Sequence, residues 1–152
     1  MKRSEKVLRL SEKLLRDLKP YSKKIQIVGS IRRKEPNPID IDIVLIPKDK
    51  EKLKKFLEKK GKYLQGGEHE STWKIKGVKV ELYYTISEEW GASLLAYSSK
   101  KGSGIGLRKI AKEKGFKLNN YGLFKKGKKI AGKTEREIYH TLERPWKKPE
   151  NR

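Results

Sequence analysis

The stretch IQIVGSIRRKEPNPIDIDIVLIP, Ile25–Pro47, decides how this chain is read. An apolar run closes on Gly29-Ser30, two arginines and a loop follow, and Asp40 and Asp42 then stand inside a second apolar run. A buried carboxylate without a partner is far costlier than a buried apolar side chain. A strand projects alternate residues to one face, which puts Asp40 and Asp42 on the same side, roughly 7 Å apart along the chain. Carboxylates that close repel unless a cation lies between them. Mg²⁺ takes oxygen ligands of this kind and is usually completed by substrate phosphates. The plainer alternative is a pair of solvated acids on a sheet edge.

The residues upstream favour the cation. Gly29-Ser30 ends a strand and leaves backbone N–H groups to hold phosphate oxygens. Ser30 adds a hydroxyl, and Arg32 or Arg33 can neutralise charge with a planar fork, although solvated surface charge fits at least one of them. A phosphate cradle followed by paired acids describes a site for a nucleoside triphosphate and two metals. One metal activates an attacking hydroxyl and the other steadies the leaving oxygens. A third carboxylate is expected from a neighbouring strand, and GVKVELYYT offers Glu81.

The 152 residues suffice for one domain or two small lobes. Lys and Arg number 40 against 19 Asp and Glu, a net charge of +21. A heat-adapted protein usually adds Lys and Glu together; unmatched positive charge points to a polyanionic partner. With no cysteines, disulfides and thiolate metal sites are excluded. The two histidines, His69 and His140, are too far apart in sequence to read as a zinc site. No stretch approaches membrane-spanning length, so the expectation is a soluble intracellular protein of cytoplasm or nucleoid, or of a virion if viral.

Along the chain, apolar residues at helical spacing predict a helix over 4–18, ended by Pro20. KIQIVG and IDIDIVLIP read as strands, and KDKEKLKKFLEKKG as a helix closed by Gly61. STWKIKGVKVELYYT reads as two strands around a tight turn at Lys76-Gly77. Ser87 is expected to cap a helix carrying WGASLLAY, and GIGLRKIAKEKG to form another, stopped by Gly115. FKLNNYGLFKKGKKI reads as a hairpin, and TEREIYHTL as a helix opened by a Thr134/Glu137 capping box. The expected organisation is α+β, with a mixed α/β lobe over 1–86 and a smaller helical lobe with a β-hairpin over 87–152.

Gly-Ser followed by Asp-x-Asp resembles the DNA polymerase beta-like nucleotidyltransferases. The segment WGASLLAYSSKKGSGIGLRKIAKEKGFKLNNYGLF narrows this, being similar to the family X DNA polymerases from Tyr97 to Arg108 without a gap. RPWKKPENR also looks like that family's closing tail. The resemblance covers roughly residues 20–152 and implies a nucleotidyltransferase palm with a mixed sheet and flanking helices, plus a thumb lobe. It implies that Asp40, Asp42 and Glu81 bind two Mg²⁺ ions, for which Mn²⁺ can substitute. Gly29, Ser30 and Arg33 would hold the triphosphate. Tyr97 and Ser99 would lie at the incoming sugar, and Arg108, Asn119 and Tyr121 at the template. Five positions depart from the family pattern: Glu81 for Asp, Ser98-Ser99 for Thr-Gly, Gly104 for an Asn, and Ile39 for a Gly.

The resemblance further implies a template-directed enzyme that fills short gaps in DNA repair, using a dNTP and a gapped or primer-template duplex. The chain starts at the helix before the palm, as in small viral members, so deoxyribose-phosphate removal is not expected. The surplus lysines, in KKGKK, KDKEKLKK and RPWKK, would grip DNA instead. A monomer is expected. Two other readings stay open: a template-independent terminal nucleotidyltransferase, and a basic DNA-binding protein with impaired catalysis.

Overall fold

The computed structural model describes residues 2–152, the side chains of 101–105 excepted. The chain divides into two compact units, one ending at Thr85 and the other running Ile86–Arg152.

The first unit opens with α1 (Arg3–Leu18), whose Val7, Leu10, Leu14 and Leu18 fall on one buried face. Pro20 sits in the 3₁₀ turn that ends the helix, because it lacks the N–H needed to continue the ladder. Then follow β1 (Ser22–Val28), a single helical turn α2 (Gly29–Arg32), β2 (Ile41–Pro47), α3 (Lys50–Lys60), β3 (Lys62–Gly66), β4 (Glu70–Ile75) and β5 (Val78–Tyr84). Asp49 caps α3 by accepting from the N–H groups of Glu51 and Lys52, at 2.9 and 3.2 Å. The five strands form one sheet in the order β1-β2-β5-β4-β3. Only the β2–β5 pairing is parallel. Lys76 and Gly77 both have positive φ, 50° and 79°, the mirror-image two-residue turn that suits the twist of β4 and β5.

Alternation along the strands separates two chemistries. Ile41, Ile43 and Leu45 of β2, and Val78, Val80 and Leu82 of β5, join α1 and α3 in a core of 14 buried side chains. Asp42 of β2, and Lys79, Glu81 and Tyr83 of β5, project from the opposite face. Each buried aliphatic side chain contributes roughly 1.5–3 kcal/mol, against about 0–1 for an exposed ion pair. The core therefore holds the sheet, and the charged face is free to serve another end.

The second unit contains α4 (Trp90–Ser98), α5 (Lys101–Glu113), β6 (Lys117–Asn119), β7 (Gly122–Lys125), β8 (Lys128–Ala131) and α6 (Glu135–Thr141). The segment read as a hairpin is a three-stranded antiparallel sheet: Lys128–Ala131 returns along β7 after a turn at Lys126 and Gly127, φ 51° and 78°. Ser87 does not cap α4 with its side chain but begins a 3₁₀ turn. The first amides of α4 are satisfied by backbone instead, Gly91 donating to the Lys133 carbonyl and Ala92 to that of Gly132, both at 3.0 Å. Thr134 does cap α6, its Oγ1 accepting from Glu137 N at 3.1 Å. The tail is tied down: the Arg152 guanidinium donates to Glu135 Oε2 at 2.8 Å in a buried pair and lies against the Trp146 ring.

Candidate active site

In the parallel register of β2 and β5, Asp42 stands beside Glu81. Tyr83, two residues on and thus on the same face, donates its phenol to Asp42 Oδ1 at 3.2 Å and lies in a short hydrogen bond with Glu81 Oε2. From two residues before, the Lys79 ammonium meets Glu81 Oε1 at 2.8 Å. On one face of β5, Lys79 and Tyr83 thus flank Glu81, and Tyr83 reaches Asp42 as well.

Their electrostatics differ. Burial, then the Glu81 charge, push the Asp42 carboxyl up to about 6, against 3.8 for an ordinary aspartate; the Tyr83 hydrogen bond offsets only part of this. Burial also acts to raise Glu81, but the hydrogen bonds from Lys79 and Tyr83 outweigh it and leave the group below its usual value. Burial and these carboxylates hold the Tyr83 phenol protonated. The pair is short of positive charge at Asp42.

Asp40 is not in the strand. It lies in the bend before β2, and the expectation of two acids on one strand face is corrected to one. On one side the ladder stops before Asp40: β1 ends at Val28, opposite Asp42, and turns into α2. Asp40 is still near enough for Asp42 and Lys79 to feel its charge. Among the described residues, no three His, Cys, Asp or Glu side chains gather closely enough to hold a metal ion. The donor set nonetheless fits a hard divalent cation: oxygen ligands only, adjacent, and with a carboxylate that burial and then the Glu81 charge disfavour in its ionised form.

The Gly-Ser motif forms α2 rather than an open turn. Gly29 takes φ +63° and packs against the Asp42 carboxylate. Ser30 follows in the same turn, which the Arg33 N–H to Gly29 carbonyl bond closes at 3.1 Å. The Arg33 guanidinium, largely buried, reaches Glu35 Oε2 at 3.3 Å. Strand, cradle and acid are consecutive along β1, α2 and β2.

In the second unit, a cavity of about 230 Å³ is lined by Tyr97, Ser99, Arg108 and Asn119 among others. Four of the five residues expected at the sugar and template thus share one wall. Tyr121, 40% exposed, is not on that lining. Ser99 Oγ donates to the Leu95 carbonyl at 2.7 Å. Asn119 Oδ1 accepts from the Tyr121 and Gly122 N–H groups, at 2.8 and 3.2 Å, and so shapes the β6–β7 turn. Gly104 lies outside the residues whose surroundings are described.

Sequence reasoning missed Tyr83 and Lys79. Their signal was present: both lie two residues from Glu81 in a segment with strand alternation, so a partner for the acid had to come from those positions.

A family model described as DNA polymerase beta thumb matches residues 93–152. The chain is 31% identical over 147 residues to a protein named Repair DNA polymerase X from a Kenyan pig isolate of African swine fever virus, covering 89% of this chain and 84% of that one. The protein of the same name from the Vero-adapted Badajoz strain of the virus matches at 31%, with the same coverage. The one from a Namibian warthog isolate matches at 30%, again over 89% and 84%. None of the described helices is long and apolar enough to cross a membrane.

Proposed function

This chain belongs to the family X DNA polymerases, and from that premise we propose that it fills short gaps in DNA under the direction of a template. It is a repair DNA polymerase, with DNA and deoxynucleoside triphosphates as substrates. The observation that carries the finer reading is the Asp42–Glu81 pair held in register by β2 and β5 and bridged by Tyr83.

Two divalent ions, Mg²⁺ or Mn²⁺ in its place, held by Asp42, Glu81 and Asp40, would supply the positive charge that lowers the pKa of the primer 3′-hydroxyl and steadies the departing oxygens. Asp42 and Glu81 offer the oxygen donors. Tyr83 orients both, and its own proton stays in place because the phenol titrates far above neutral pH. Gly29, Ser30 and Arg33 receive the triphosphate on the helical turn beside Asp42, whose first amides have no acceptor within the helix itself. Lys79, half exposed, balances Glu81 from the solvent side.

Tyr97 gives the sugar a flat apolar surface, and Arg108 reaches the template strand. Ser99 contributes through its backbone and oxygen lone pairs, its hydroxyl proton being given to Leu95. The net charge of +21 provides affinity for the phosphate backbone, so binding falls steeply with salt. Catalysis then rests mainly on positioning and electrostatics.

Asp42→Asn tests the assignment. The amide keeps the shape but loses the charge, so extension on a single-nucleotide gap falls by more than about 100-fold while duplex affinity is retained. Extension at the wild-type rate would refute it.

A further inference from the structure

The sheet of the second unit sets an aromatic ring, Phe124, among cations. Across it, Lys117 of β6 pairs with Phe124 of β7, and Phe124 with Lys129 of β8. The Lys129 ammonium lies 5.9 Å from the Phe124 ring centre, and Lys125 lies 5.3 Å from that of Phe116. Phe116 and Phe124 line an open concavity of about 410 Å³ together with Lys117, Lys126 and Asn119. From Lys114 to Thr134 the chain has seven lysines and no acid. Phe116 packs on the core, but Phe124 does not belong to that cluster.

Asn119 lines both this concavity and the cavity holding Tyr97 and Arg108. A strand leaving the template side of the first has the second as its neighbour. Flat apolar rings rimmed by lysines suit unpaired bases on a phosphate chain, because every base has a face to stack and every linkage a charge to neutralise. An acidic protein segment would use the lysines but leave the rings idle.

Resting on the polymerase reading, we infer that the Phe116–Phe124 concavity holds the single-stranded template overhang, with a base against Phe124 and phosphates on Lys117 and Lys126. The surface extends the grip on substrates whose template runs on unpaired. It is not needed on a one-nucleotide gap flanked by duplex.

The test uses the full chain and a primer-template whose 5′ template overhang carries 2-aminopurine. Wild-type protein quenches the fluorescence on binding. Phe124→Leu abolishes the quenching and weakens overhang binding at least about fivefold, the loss of one base–aromatic stack, with blunt-duplex affinity and single-gap filling unchanged. Phe124→Tyr keeps the ring and retains the quenching. The Lys117→Gln, Lys126→Gln double variant lowers the salt slope for the overhang by about 1.4. If Phe124→Leu does not fold, Phe124→Tyr and the double variant decide. Unchanged quenching in Phe124→Leu, lost quenching in Phe124→Tyr, or an unchanged salt slope overturns the inference, as does equal weakening on blunt duplex. Asp42→Asn leaves overhang binding intact, so failure of the polymerase reading shows separately, in extension.

Discussion

Gly29 and Asp42 share one small volume: a Cβ added to Gly29 would collide with Asp42 Oδ2 and lie 3.0 Å from the Asp42 Cβ. The two residues are neighbours because β1 ends at Val28, in register with Asp42. The same Gly29 has φ +63°, a conformation that disfavours any side chain. The Gly29 turn and the Asp42 carboxylate are thus fixed to each other by the absence of one methyl group.

Gly29→Ala should therefore fail twice. The backbone alone costs roughly 1–2 kcal/mol, visible in chemical denaturation. The displaced Asp42 carboxylate should also weaken Mn²⁺ binding, followed by electron paramagnetic resonance. Full Mn²⁺ affinity in a folded Gly29→Ala protein would show that the contact does not position the acid.

The raised pKa of Asp42 makes a prediction for the metal-free protein. The folded state takes up this proton at about pH 6 and the unfolded chain near 3.8, so the folded state binds more protons between these values. The group's contribution to stability is fully present below 3.8 and is lost as pH rises through about 6. At about 1.4 kcal/mol per pH unit, that window bounds the loss at about 3 kcal/mol. Other carboxylates titrate in the same range, so the difference between wild type and Asp42→Asn isolates the effect. The Asp42→Asn protein should be the more stable of the two above pH 6 without metal, and the gap should narrow when Mg²⁺ is added. A constant difference from pH 4 to 7 would rule the shift out.

The order of strand, turn and acid was legible in the sequence because each rests on a local rule: alternation for β2 and β5, Gly29 for the turn, Lys76-Gly77 for the hairpin. What escaped it depends on pairing. β3 has every residue exposed, so it has no buried face to print a period on its side chains, and only its ladder with β4 makes it a strand. β8 is four residues long, with alternation hidden among lysines. Asp40 stands just before β2, where β1 on one side has already turned into α2, a fact about β1 rather than about Asp40. Tyr83 carries no local mark of its role, since aromatic residues are common in strands; only the register with Asp42 makes it a hydrogen-bond donor between acids.

Tyr83→Phe removes that donor and keeps the ring. Outer partners of metal ligands typically matter by about 10- to 100-fold in metal affinity or activity, and Mn²⁺ titration should show a loss in that range. Asp42 should titrate higher still, since the hydrogen bond from Tyr83 that lowers its pKa would be gone. The thermal transition should move little, because the phenol lies outside the hydrophobic core. Unaltered Mn²⁺ affinity would make Tyr83 a bystander.

Glu135 and Arg152 provide the last prediction, on stability alone. Their side chains are 7% and 2% exposed and meet at 2.8 Å, with the Arg152 Nε also donating to the Lys147 carbonyl at 2.9 Å. Removing one partner of such a pair strands the other charge in a dry site and costs about 3–5 kcal/mol. Glu135→Gln keeps a hydrogen-bond acceptor for Arg152, so its cost should fall below that range, and Glu135→Ala should reach it. Replacing both, as Glu135→Leu with Arg152→Met, should recover most of the loss, because neither charge then remains to be desolvated. Urea denaturation of the four proteins separates these cases. If the double variant were as unstable as Glu135→Ala, the tail would be held by the ion pair itself rather than by the packing of Arg152 and Trp146 around it.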